Sequence, residues 1–307
     1  MDQIPDINEW LVTPQNPPRA IDGLDYERCA ALHNYLIRYA WVASNRPLCD
    51  LKFQSWFDNH GNAANDLRSR LEPNLVKFLE AVYDPSGSDD TILFYWVSGL
   101  TYPDELWFDW EGYSEDGEES RRMTLYRTNS GLLGGHNDGL CYDQKLHKAA
   151  MFISIDDQDF ANRLEHEHLW HPLETVLSNW ISTIRIGKIS AGPSGVKLHN
   201  EKYGPWMYHS YSPQQVEETV TAFNRLVIAI ECRIPKSAKK WPTSNPLISQ
   251  QILDSTSVPN PSFARSFLTM IRPPNFKYIA PGLLLPTPES FASSQPFTSV
   301  KQEDDRL

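Results

Sequence analysis

Residues 104–120 read DELWFDWEGYSEDGEES and hold eight carboxylates, five aromatic or leucine side chains, and no Lys, Arg or His. Carboxylates beside rings suit a guanidinium or an ammonium, through bidentate hydrogen bonds and cation–π contact. Read as a strand, 104–111 puts Leu106, Phe108 and Trp110 on a core face and Glu105, Trp107, Asp109 and Glu111 on the opposite face. That second face is a candidate substrate-binding wall for a positive group. Clustered carboxylates can also hold Mg²⁺ through oxygen ligands. Arg121, Arg122 and Arg127, just downstream, are the chain's own answer to the charge.

Three further groups could carry chemistry. In Glu165-His-Glu-His-Leu-Trp-His171, the residues His166, His168 and His171 give H-x-H-x-x-H ahead of a helix, and imidazole is the commonest transition-metal ligand. The spacing matches no standard zinc pattern, and His171 before Pro172 equally reads as the entry to the helix. The loop Gly131-Leu-Leu-Gly-Gly-His-Asn-Asp-Gly139 offers His136 with Asp138 for acid–base work, but lacks the glycine patterns of phosphate-binding loops. Asp156-Asp-Gln-Asp159 follows an apolar run and suits either a cation or a helix cap. The chain contains no G-x-S-x-G, no H-E-x-x-H and no kinase signature, which removes the commonest hydrolase, protease and kinase readings.

The Trp-rich texture and the run HPLETVLSNWISTIRIGKI resemble proteins of filamentous fungi encoded beside small-molecule biosynthesis genes, among them the arginine-containing cyclodipeptide synthases. The family is associated with an Asp-Asp-x-x-Glu motif. The nearest match here is Glu115-Asp116-Gly117-Glu118-Glu119, with Glu in place of the first Asp. The resemblance implies a tRNA-dependent aminoacyltransferase that joins an arginyl residue to a second aminoacyl residue and cyclises them, with Asp116 and Glu119 as catalytic carboxylates. In that reading Asp109 and Glu111 hold the guanidinium, Trp107 stacks on it, and His136 serves as a general base.

These groups need elements to position them. Residues 1–20, with PQNPP, read as an extended arm. From Asp22, a candidate N-cap, apolar residues recur at three and four through Val42 and predict a helix. A short helix is expected over 50–58, and another over 63–83 with Pro73 marking a kink or break. The period then changes. Residues 91–98 suit a central strand, 104–111 alternate, 121–128 resemble an edge strand, 148–155 form another apolar run, and 130–145 read as a Gly-rich loop. Pro172 opens a helix that stops at Gly187, and Ser212-Pro-Gln-Gln215 is a capping-box start for a last long helix. Eleven of the twenty-three prolines fall in 233–307, where only 262–271 suggests a helix and 291–307 suggest disorder. The order predicts an α+β fold: an antiparallel sheet of about four strands with helices from both ends of the chain. Its expected divisions are the arm 1–20, a single domain 21–235, and a partly wrapping Pro-rich segment 236–307.

Composition bounds the function. With 40% hydrophobic and 22% charged residues the chain is of the globular class, and it shows neither a signal-peptide pattern nor an apolar run long enough for a bilayer. Cys29, Cys49, Cys141 and Cys232 lack paired spacing and read as reduced thiols of a cytoplasmic protein. The net charge is −11, yet 233–307 hold nine Lys/Arg against five Asp/Glu. The strongly acidic remainder argues against DNA and favours a cationic ligand. The expectation is a biosynthetic enzyme acting on a cationic small-molecule or aminoacyl-tRNA substrate, with no cofactor implied. The alternatives are a non-catalytic module that binds a basic partner and a metal-dependent enzyme using the His cluster.

Overall fold

The computed structural model describes residues 4–85, 93–108, 121–129, 139–152, 168–193, 202–235, 246–256, 258–260 and 262–294. The chain forms two compact units, Met1–His209 and Ser210–Leu307. The division falls ahead of the expected one at 235, because the long capped helix belongs with the Pro-rich segment.

In the first unit, α1 (Tyr26–Ala43) is capped by Asp25, whose side chain accepts the Arg28 N–H, three residues later than the expected Asp22. The helix α2 (Trp56–Asn65) starts at a Ser55–Asp58 capping box. Pro73 marks a break, as one of the two expected outcomes, and opens α3 (Pro73–Ala81), since a missing N–H costs nothing in the first turn. Four strands follow, β1 (Val97–Leu100), β2 (Arg122–Thr128), β3 (Gly139–Asp143) and β4 (Lys148–Met151). They pair antiparallel in the order β1-β2-β3-β4, so the fold is α+β as expected. β2 lies inside the sheet and not at its edge, because β3 arises within the stretch read as a Gly-rich loop. The expected strand at 91–98 begins only at Val97.

α1 packs against α3 and against α4 (Leu173–Arg185). Alternate sheet residues divide between two faces. Tyr126, Leu140, Tyr142 and Ala149 join the main core, while Cys141 and Ala150 meet Phe152 and Trp170 in a smaller cluster. A second antiparallel sheet orders β5 (Ile189–Ala191), β7 (Trp206–Tyr208) and β6 (Lys202–Tyr203) with β7 in the middle.

The arm is anchored more firmly than its composition suggests. Ile7 and Leu11 are buried, and the Val12 N–H donates to Ser178 Oγ. Arg28, 1% exposed, donates Nε to the carbonyl of Trp10, Nη1 to that of Pro17, and Nη2 to those of Leu11 and Asn16, at 2.7–2.9 Å.

The second unit is also built around helices: α5 (Pro213–Glu231), α6 (Gln250–Ser255), α7 (Phe263–Met270) and α8 (Pro288–Ser294), with a hairpin of β8 (Tyr278–Ala280) and β9 (Leu283–Leu284). Leu247, Ile248, Leu253, Val258, Ile271 and Phe291 form its core. The segment after 236 therefore packs together with α5, whose Val220 and Phe223 lie against this core, and helix α8 with buried Phe291 occupies part of the stretch expected to be disordered. Among the described residues, no helix is long and apolar enough to cross a membrane.

Candidate functional site

Of the residues singled out above, Asp109, Glu111, Asp116, Glu119, His136 and His166 lie outside the described residues. Glu105 and Trp107 do not form one face of a strand. Residues 103–108 are turns, with the Glu105 N–H donating to the Tyr102 carbonyl and the Phe108 N–H to the Glu105 carbonyl. A turn can direct consecutive side chains inward, and both Leu106 and Trp107 are buried while Phe108 is 64% exposed. The expected alternation fails at its centre. Trp107 is a core residue, with the Arg70 guanidinium 3.9 Å from its ring centroid, so it is not a substrate-facing wall. Glu105 is half-buried at the same turn. His168 and His171 are exposed, and His171 pairs through its backbone with Ala149. Among the described residues, no group of three His, Cys, Asp or Glu could hold a metal ion.

A different pair comes together at α2. The indole of Trp56 is fully buried and donates Nε1–H to the Thr101 carbonyl at 2.9 Å, fixing the helix against the chain that leads into 104–120. His60, one turn on, lies on the same face, its ring 5.3 Å from Trp56. The next residue breaks the helix: Gly61 has φ 53 and ψ −122, a conformation open to glycine, and Asn65 Nδ2 takes up its carbonyl. A Cβ at Gly61 would meet nothing within 4 Å, so no packing contact demands the glycine; its positive φ does.

Asp84 arrives from the far end of α3. Its N–H donates to the Gln54 carbonyl, and its own carbonyl accepts from Asn59 Nδ2. This places Asp84 Oδ2 3.4 Å from His60 Nε2, with the two side chains 13% and 14% exposed. The separation is that of an ion pair, but Oδ2 accepts no hydrogen bond. That carboxylate oxygen thus lies beside the ring nitrogen with no hydrogen bond of its own. His60 Nδ1 is absent from the buried polar atoms that lack a partner and has no hydrogen bond to a described residue, so solvent reaches it. The Tyr102 ring stands edge-on to His60 at 5.7 Å, and the Arg127 guanidinium lies 4.0 Å from the centroid of that same tyrosine. A largely buried imidazole, with a carboxylate close to one nitrogen and the other open, has the arrangement of a general base. His60 and Asp84 were not legible as a pair, being twenty-four residues apart in no motif. The isolated Gly61 is the one local signal of a special position.

A second titratable set is sealed in the core. His33 Nδ1 is 2.9 Å from the Tyr126 hydroxyl and its Nε2 is 2.8 Å from the Tyr83 carbonyl, and burial pushes the imidazole down to about 4. Cys29, one turn before it on α1, points its Sγ at Glu174 Oε2, 3.8 Å away. Burial raises the Cys29 thiol, the Glu174 carboxyl and the Tyr126 and Tyr142 phenols, so all favour their neutral forms. None is open to a ligand. Comparison with known proteins gives no match to a family model, a curated protein or a solved structure.

Proposed function

We propose that the N-terminal unit is an enzyme acting on a small molecule with a positive group, with His60 moving the proton and the acid-rich stretch from Asp104 onward meeting the charge. The observation that carries this reading is the His60–Asp84 pair, one ring contact from Tyr102 and so tied to the root of that stretch. Residues 1–209 hold thirty-one Asp/Glu against eighteen Lys/Arg, which raises the local concentration of a cation. The narrower proposal is the one the resemblance implies: tRNA-dependent formation of an arginine-containing cyclic dipeptide, with Asp116, Glu119 and His136 in catalytic roles and Asp109 and Glu111 on the guanidinium. The acidic balance weighs against broad contact with a tRNA backbone, since phosphates are bound by cations.

Metabolite profiling of a host expressing the chain, fed isotopically labelled arginine, tests the proposal. A labelled product absent from the empty host and lost in His60→Gln supports it. Folded protein with no new product overturns it. The same acidic charge favours a second reading, a non-catalytic module for a basic protein partner. In that case retention on a Lys/Arg-rich peptide column survives His60→Gln and no product forms.

A further inference from the structure

We propose that the cleft between the first turns of α5 and α7 binds a neutral, hydroxyl-rich ring, a saccharide in chemical class. The cleft has a volume of about 490 Å³, within the roughly 300–1,000 Å³ of small-molecule sites. The described residues that line it all belong to the second unit, so the site is independent of the His60 reading. One wall is aromatic and held from behind. Tyr211 stands edge-on to Phe263 at 5.8 Å, Phe263 stacks on Phe267 at 6.0 Å, and Phe267 meets Phe223 of α5 edge-on at 5.6 Å. Phe223 and Phe267 pack against the core of this unit, while Tyr211 and Phe263 stay half-buried at the cleft. Arg265, 7% exposed, ties the start of α7 to the chain before it. Its Nε donates to the Pro259 carbonyl and its Nη2 to those of Leu253 and Val258, while Nη1 pairs with Asp254. The aromatic wall is thus in place before a ligand arrives, which lowers the cost of binding.

The rest of the lining is polar and keeps bonding capacity to spare. Gln215 Oε1 accepts the Ser212 N–H at 2.9 Å, and its Nε2 has no partner among the described residues. Ser262 Oγ accepts the Arg265 N–H and keeps its own O–H to give. Glu218 is exposed; its Oε1 accepts from Gln214 Nε2 at 2.8 Å, and Oε2 has no partner among the described residues. Gln215 and Ser262 therefore donate and Glu218 accepts. A sugar hydroxyl does both, so neighbouring hydroxyls satisfy a donor and an acceptor side by side while the C–H face of the ring lies on the aromatic wall. An apolar ligand of the same size would instead strand the carboxylate and the amide away from water. Charge narrows the class further. Among the described lining residues there is no Lys, Arg or His, and Glu218 repels an anion. A cation meets the positive ends of two helices, since Ser212 caps α5 and Ser262 caps α7. The favoured ligand carries no net charge.

Saturation-transfer difference NMR on the full chain tests this with the methyl pyranosides of glucose, mannose, galactose and N-acetylglucosamine. Glucosamine and glucuronate serve as the cationic and anionic counterparts of glucose. Transfer to the ring C–H protons of at least one neutral pyranoside is expected. Glu218→Ala is expected to raise its half-saturating concentration about tenfold, the scale of one hydrogen bond to a charged group. Phe263→Leu, which keeps an apolar side chain and loses the flat face, is expected to weaken binding by a similar factor. His60→Gln should leave it unchanged, which separates this cleft from the proposed proton-transfer site. Absence of transfer to all four pyranosides refutes the proposal, as does binding that survives undiminished in either folded variant of the cleft. Tighter binding of glucosamine than of every neutral sugar overturns the neutral assignment in favour of a cation, and tighter binding of glucuronate does so in favour of an anion. Circular dichroism and the thermal midpoint of each variant identify loss of fold, and Glu218→Ala, at an exposed position, carries the test if the leucine variant unfolds.

Discussion

His33 Nδ1 and the Tyr126 hydroxyl meet at 2.9 Å between α1 and the middle of the sheet, and this contact fixes the protonation of both groups. The Tyr83 carbonyl can only accept, so His33 Nε2 carries the ring proton and Nδ1 accepts from the phenol. The imidazole is therefore held neutral, with nothing arranged to stabilise a second proton.

Acid should open this contact. The His33 value of about 4 lies below its ordinary 6.5, so the unfolded chain binds the proton more readily. The stability due to this group is complete above 6.5 and is lost as pH falls toward 4, by about 3 kcal/mol at full titration. Urea unfolding at steps across that window should show the decline, and His33→Gln should lack that component. Parallel profiles in the two proteins would refute the assignment.

Arg28→Met should cost about 3 kcal/mol, since it strands the Trp10 and Pro17 carbonyls and removes one of the two donors to those of Leu11 and Asn16. Limited proteolysis should then cut within residues 4–20, where the native chain resists. Arg28→Lys should fail to restore protection, because an ammonium cannot span acceptors that a planar fork reaches together.

Gly139 opens β3, and an added Cβ would sit 1.9 Å from the Tyr126 carbonyl oxygen. Gly139→Ala should therefore lower stability by about 2 kcal/mol or more, because the β2–β3 ladder has to move apart. Gly192→Ala is the control. Its Cβ would meet only Met207 Cε, at an ordinary 4.0 Å. Equal thermal midpoints for the two variants would contradict the close strand approach.

Trp107→Ala should destabilise the fold by about 3 kcal/mol, the scale of a large ring removed from a core, and Glu105→Gln should change stability little. Chemical denaturation distinguishes the core role from a ligand-facing one. A stable Trp107→Ala protein that loses only ligand binding would reinstate the wall.

The sequence was most informative where periodicity and caps agree. Helices α1, α4, α5 and α7 follow three-and-four spacing, and Ser212 with Gln215 forms the expected reciprocal cap. Strand β4 was visible as an apolar run, and β2 as a strand, though one expected at the edge. The 104–108 stretch misled because alternating letters do not ensure an extended backbone: Pro103 and Asp104 initiate turns, and paired turn bonds bury Leu106 and Trp107 side by side. β3 was hidden because the glycine that lets it approach β2 resembles loop composition. The His60–Asp84 pair depends on α3 carrying the chain back past α2, a tertiary relation with no local trace beyond Gly61.

The four acceptors around Arg28 are all main-chain carbonyls. Arg28 therefore checks the route of residues 10–17 and is blind to most of their letters. Substitution there should be tolerated wherever the route survives, outside buried Leu11 and the Asn16 side chain, which is itself bonded to the Glu9 and Leu11 carbonyls. Inserting or deleting a single residue between Leu11 and Asn16 would shift the acceptors out of step with one another. The arm can drift in composition far more easily than in length.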